Sequence, residues 1–311
     1  MKKTIGLLSA IALSSTAYAD VNVGGFVDAG FMWTKDAKST NGNANSAVFG
    51  VNDGAVHFTG NSGSTSFLVD LGYNTGNTAL MIDQAAISNK YDSGFSWWLG
   101  RVDRILGGEG RDSNTWAFAQ QSHLSSLLND QSHTGAVLGY DLSDMLGLKV
   151  LVANGKASGN FNYPQFGFRL DSKSDGMNFF LGGVFESVGG ESGYDFDLGA
   201  TSKMGSIDLG VEVLLSKASV ADAESGLAFG LHGVAEVSES MGFGARVEWE
   251  NGKFSGQDTM VTQLDFTAGP NFVLSENASA YLDYTLSSFS GDNATNKDSE
   301  HSLSLAVVHN F

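Results

Sequence analysis

Tyr194-Asp195-Phe196-Asp197-Leu198-Gly199-Ala200-Thr201 and Ile207-Asp208-Leu209-Gly210-Val211-Glu212-Val213-Leu214-Leu215 decide the fold. In both segments every second side chain is apolar and the intervening ones are acidic, glycine or threonine, with Leu214 the exception. A period of two is that of an extended strand with one apolar and one wet face. The pattern recurs along the chain. Val21, Val23, Val27, Ala29, Phe31 and Trp33 oppose Asn22, Asp28, Gly30 and Thr34, with Phe26 and Met32 out of step. Phe67, Val69, Leu71 and Tyr73 oppose Leu68, Asp70 and Gly72. Met241, Phe243, Ala245, Val247 and Trp249 oppose Gly242, Gly244, Arg246, Glu248 and Glu250.

An apolar strand face packs in a soluble core or meets lipid. Three features favour lipid. The strands run to about 10–13 residues, longer than the usual soluble strand of about 5–6. Their polar faces combine glycine with charge. Aromatic residues (Trp33, Tyr73, Trp97, Trp249, Tyr284) fall near strand ends, where membrane interfaces place them. No segment beyond the first twenty residues holds about eighteen consecutive apolar residues, so no helix is expected to span a membrane. A closed barrel is the other structure that satisfies every backbone polar group in lipid. The expected fold is therefore an all-β transmembrane antiparallel up-and-down barrel. Sixteen strands are counted, with fourteen or eighteen as alternatives because 50–60 and 78–90 alternate poorly.

Residues 1–19 read as a secretory signal peptide. Lys2 and Lys3 precede the apolar run Ile5–Leu13, and Ala17-Tyr18-Ala19 has the small-x-small form of a cleavage site. Residues 20–311 would form the barrel. The chain has no cysteine, so no disulfide framework supports it. Its 40 glycines invite a disordered reading, which the 21 phenylalanines oppose. A net charge of −17 argues against nucleic-acid partners. Short connections should alternate with long ones. The short ones include 61–63, 91–93, 143–145 and 173–175, with 271–276 the longest; the long ones include 35–49, 104–131, 218–224 and 289–299. On the last strand Leu303, Leu305, Val307 and Phe311 share a face, and the terminal Phe311 looks like the signal read by the barrel-insertion machinery.

The segment Gly94-Phe95-Ser96-Trp97-Trp98-Leu99-Gly100-Arg101, then Gly107-Gly108-Glu109, then Gln131-Ser132-His133-Thr134-Gly135, resembles the second β-barrel porin family of Gram-negative bacteria. There a strand ends in Gly-Lys, a Gly-x-Glu loop follows, and a later strand opens on His-Thr-Gly. Arg101 stands in place of the lysine. The resemblance implies a passive diffusion channel in the bacterial outer membrane, in contact with its lipid and open to ions and small hydrophilic solutes. By analogy with sixteen-stranded general porins it implies a homotrimer.

The longest outer connection, 104–131, carries Arg104, Glu109, Arg111, Asp112 and Asp130. Its apolar patch of Leu124, Leu127 and Leu128 would hold it to a wall, narrowing the pore. Arg101 is expected with it at the narrow point. The lumen-facing acids are read as Asp28, Asp70, Glu186, Asp195, Asp197, Asp208, Glu212, Glu236, Glu248, Asp265 and Asp283. Opposed to them are Lys149, Arg169 and Arg246, so a cation preference is expected. Catalysis is not expected. In Ser132-His133 and His301-Ser302 adjacent residues point to opposite strand faces, and the grouping of His123, His133 and Asp130 is loop coincidence. The six histidines show no zinc spacing, and no cofactor or metal is expected. The competing reading is a non-conducting structural, adhesive or receptor-type barrel.

Overall fold

Two-faced strands satisfy their backbone only by pairing, and here the pairing closes on itself. The computed structural model describes residues 20–36, 45–74, 80–109, 116–127, 132–155, 164–188, 191–217, 225–253, 261–290 and 299–311. Among these residues lie β1 (Asp20–Asp36), β2 (Asn45–Ser62), β3 (Thr65–Asn74), β4 (Met81–Lys90), β5 (Phe95–Asp103) and β6 (Ser132–Ser143). They are followed by β7 (Leu146–Ala153), β8 (Gln165–Ser174), β9 (Met177–Val188), β10 (Glu191–Met204) and β11 (Ile207–Lys217). The last five are β12 (Ser225–Ser238), β13 (Met241–Lys253), β14 (Val261–Ser275), β15 (Ala278–Ser290) and β16 (Ser299–Asn310). One short helix, α1 (His123–Leu127), lies between β5 and β6. Each strand pairs antiparallel with its chain neighbours and β1 pairs with β16, so the sheet has no edge. The count of sixteen stands.

The alternation sorts the two surfaces. Leu198, Leu209, Val211, Leu227, Phe229, Phe243, Val247, Phe266 and Leu305 are exposed on the outside. Asp195, Asp197, Glu248, Asp265 and Asp283, from the intervening positions, are buried inside. A large apolar side chain left in water forgoes about 1.5–3 kcal/mol. An outer belt of this extent is therefore a lipid-facing surface. Phe26, out of step in the sequence, is buried on the inner side against Ala55 and Val308. Met32 also faces inward, its sulfur 3.1 Å from Gln120 Nε2.

The poorly alternating strands owe their irregularity to bulges. The register slips at Asn52 between Asp28 and Ala29, and at Asp83 between Asp70 and Leu71. One extra residue reverses the parity of everything after it. The expected boundaries need two corrections. β1 and β2 pair as far as Lys35 and Asn45, so the 35–49 connection is shorter than read. The stretch 271–276, expected as a loop, belongs mostly to β14, and only Glu276-Asn277 turns. Pro270 has no N–H to give to the ladder. The ladder simply resumes beyond it, Ala268 facing Tyr284 and Asn271 facing Tyr281.

The short connections use two local solutions. In three of them a serine precedes the turn. Ser143, Ser238 and Ser275 accept from the amides of Met145, Ser240 and Asn277 through their hydroxyls, with a register slip beside each. This is the side-chain turn typical of serine. In Asp175-Gly176 and Gly205-Ser206 a glycine at φ 71° or 65° supplies the left-handed residue instead. The expected signal peptide and Arg111, Asp112, Leu128 and Asp130 lie outside the described residues.

Candidate functional site

The inward faces of β8–β16 meet the connection after β5. Its described parts, 104–109 and 116–127, make backbone contacts with wall carboxylates. Gly107 N–H donates to Asp197 at 2.6 Å and Gly108 N–H to Glu212 at 3.1 Å. Ala119 N–H donates to Asp283 at 2.5 Å, and Leu124 N–H to Glu248 at 3.1 Å. Gln120 reaches Ser304 on β16 at 2.6 Å. His123 Nε2 lies 2.7 Å from Glu250. A loop brought inside a barrel carries amides that water no longer serves, and carboxylates are the strongest acceptors available.

The basic wall residues hold the carbonyl side. Arg169 donates to the carbonyls of Ile105 and Gly107, both at 3.0 Å, pairs with Asp171 at 2.7 Å, and lies over the Phe180 ring at 4.5 Å. Arg246 reaches the carbonyls of Gln120 and Gln121 and pairs with Glu248 at 2.8 Å. It also lies over Phe118 at 4.6 Å and 3.9 Å from Glu109. Arg104, buried, ties the loop to itself through the carbonyls of Glu109 and Ser125.

Apolar contacts complete the seat. Leu124 is buried in a cluster with Ile105, Leu106, Val184, Leu214 and Ala228. Wall glycines provide the sockets. A methyl group at Gly167 would lie 3.0 Å from Ile105, at Gly230 3.3 Å from Leu124 and at Gly244 2.8 Å from Phe118; at Gly182 it would collide with Leu106. Leu214, the exception in the alternating stretch, is one of these contacts. The expectation that Leu124 packs on a wall holds; the side chain of Leu127 and all of Leu128 lie outside the described residues.

Burial pushes the Glu109 carboxyl up to about 7, against the opposing pull of Arg246 and the amide of Ser122. That amide donates to Glu109 at 2.6 Å and joins the two limbs of the loop. For His123, burial lowers the pKa. The bond to Glu250, with the charges of Glu250, Asp265 and Glu248, outweighs it, and the net shift is upward.

The remaining expected site residues fall in different places. Asp28, buried, accepts from Asn52 at 3.2 Å. Asp70, buried, lies 3.2 Å from His57. Lys149 lines an open space described below. Arg101 does not face the lumen. It is exposed and faces outward with Leu99 and its register partner Thr134, its Nε donating to the Asp83 carbonyl. Strand parity causes this, since Ser96, Trp98 and Val102 occupy the inner face of β5. Phe311 joins the seam, exchanging both backbone hydrogen bonds with Gly25 at 3.0 Å. Sequence reasoning missed Trp98, Ser125, Glu250 and the glycine sockets. The pairing of glycine with acid on the inner faces signalled Glu250 and the sockets, and nothing signalled Trp98 or Ser125.

Two open spaces share the wall of β5–β8. One, about 670 Å³, lies against Ser88, Trp98, Val102, Glu109, Lys149 and Arg169. The other, about 650 Å³, reaches the short-turn rim between Lys90, Asp141, Asp144 and Lys173. They share Trp98, Lys149 and Asp171. No group of three or more potential metal ligands occurs among the described residues.

No family model and no curated protein matches this chain. Solved structures do. An anion-selective porin from Comamonas acidovorans aligns over 94% of this chain and 100% of its own, with 13% identity and a TM-score of 0.69. OmpT, an outer membrane protein of Vibrio cholerae, gives 12%, 94% and 98% coverage and 0.69. The outer membrane channel DcaP of Acinetobacter baumannii gives 12%, 96% and 99% coverage and 0.68. At such identities the likeness is one of fold. The chain has the barrel of bacterial outer-membrane porins.

Proposed function

We propose that this protein is an outer-membrane porin, a passive diffusion channel for ions and small hydrophilic solutes, narrowed by loop 104–131. The observation that carries the reading is the partial filling of a closed barrel. The described parts of the loop lie against β8–β16, and open spaces of about 670 and 650 Å³ remain along β5–β8, where a barrel closed by side chains would leave none. Sixteen strands enclose enough room for both. Export, insertion by the barrel-assembly machinery through the Phe311 strand, and a homotrimeric state belong to the same reading.

We further read the pore as cation-preferring. Asp197, Glu212, Glu248 and Asp283 serve the loop, but Asp195, Asp265 and Glu186 add to the negative wall. At the short-turn rim Asp208 and Glu236 share one cation, Lys203, at 3.7 and 3.0 Å. Ion selectivity follows such summed charge over about a Debye length, roughly 8–10 Å at ordinary salt. Reversal potentials of the purified protein in planar bilayers under a KCl gradient test this directly. A potassium preference is expected. A chloride preference sinks the cation claim, and the absence of conductance favours the structural or adhesive barrel.

A further inference from the structure

We propose that the open space beside the loop contains a binding subsite for small organic anions with a flat apolar body, the aromatic carboxylates being the class that fits. Lys149 is the charge partner and Trp98 the apolar plate.

Charge pairing inside the barrel leads to this assignment. Lys90 pairs with Asp141 at 2.9 Å and Lys203 with Glu236 at 3.0 Å. Arg169 and Arg246 pair with acids and loop carbonyls. Among the described residues no acid lies within ion-pair reach of Lys149. Lys149 borders both open spaces. Lys173, on the rim of the second, likewise has no ion pair among the described residues. The nearby acids are already engaged: Asp171 by Arg169, Asp141 by Lys90, and Asp103 by the amide of Arg104. Glu109 accepts from the amide of Ser122, and Asp144 lies exposed in its turn. Five basic and five acidic residues line the two spaces, and among them the charge of Lys149 has no ion pair with a described side chain.

The apolar half of the site is adjacent. The Trp98 indole lies across Gly139, where a methyl group would be 3.2 Å from the ring. Gly139 is the register partner of Lys149. The absent side chain places aromatic plate and ammonium side by side on the wall, with Ala86 and Val137 extending the plate. Ser88 borders the first space and Ser96 the second. A volume near 670 Å³ falls in the range of small-molecule sites, about 300–1,000 Å³. A hydrated inorganic anion would use only the ammonium. A carboxylate carrying a ring would use both halves.

Calorimetric titration of the full-length, detergent-purified protein with benzoate tests the assignment, with benzyl alcohol and benzylammonium as neutral and cationic probes of the same ring. Benzoate should bind at least about tenfold more tightly than either, the scale of one charge-assisted contact. Lys149→Met should erase that advantage and leave benzyl alcohol unchanged, whereas Lys203→Met should alter benzoate binding less than about twofold. Equal binding of the three probes to the unmodified protein overturns the proposal, and that comparison needs no variant to fold. So does unchanged benzoate binding in Lys149→Met. The subsite is a refinement of the pore reading, but the titration is independent of conductance. A barrel that binds benzoate and passes no current would overturn the pore and leave the subsite standing.

Discussion

Glu109 and His123 make the loop sensitive to pH in the same direction. The Glu109 carboxyl is raised from 4.5 to about 7. Above about 7 it must carry a buried charge, at a cost of about 3 kcal/mol at 1.36 kcal/mol per pH unit. That cost fades as pH falls and is gone below 4.5. The raised His123 pKa acts oppositely in sign of charge but alike in sense. Its bond to Glu250 contributes fully below the ordinary histidine value and is lost as pH rises through the raised one. Loop docking should therefore be tighter at pH 6 than at pH 8, read as higher protection of the Ser122 and Leu124 amides relative to their intrinsic exchange rates at each pH. Glu109→Gln keeps an acceptor for Ser122 and removes the charge. It should raise protection at pH 8 and change little at pH 5; equal protection at both values in the parent protein would refute the account.

At the scale of elements, the described parts of the connection after β5 are held against the inner wall by amides on carboxylates and by apolar side chains on glycines. Gly244→Val would put methyl groups where the Phe118 ring lies and disturb its stacking on Arg246. The strand itself should survive, because valine suits a ladder. Loop cleavage by a protease should accelerate while the barrel stays folded. Leu124→Ala should weaken docking by about 2–5 kcal/mol, the usual range for a buried leucine. The same assay checks it, and a cleavage rate equal to the parent's would remove Leu124 from the anchor. The sequence showed this element's length and its apolar patch. It did not show which wall positions receive it, because the glycines and acids concerned are spread over β8–β16.

At the scale of the molecule, closure rests on β1 meeting β16. Phe311 lies over Gly25, where a methyl group would sit 2.7 Å from the ring and still closer to the Ala55 carbonyl. Gly25→Val should thus loosen the seam and lower the temperature at which the purified barrel loses its compact form on an unheated gel. An unchanged transition would show that the seam tolerates a side chain there. The stretches Tyr194–Thr201 and Ile207–Leu215 already contained the architecture. Strict alternation, length and the absence of an apolar helix leave a closed barrel as the structure in which both faces and every backbone group are satisfied. Strand number followed, because one spanning strand is a local event that the sequence repeats. What only the tertiary structure decided is the use of the inner face. Asp197 and Glu212 read as pore charge, yet they take the amides of Gly107 and Gly108. Leu214 read as an exception, yet it seats the loop. Arg101 read as a constriction residue, yet it faces outward. Alternation states which side of a wall a residue occupies. What it meets there depends on segments about a hundred residues away, and that is set by packing across the lumen rather than along the strand.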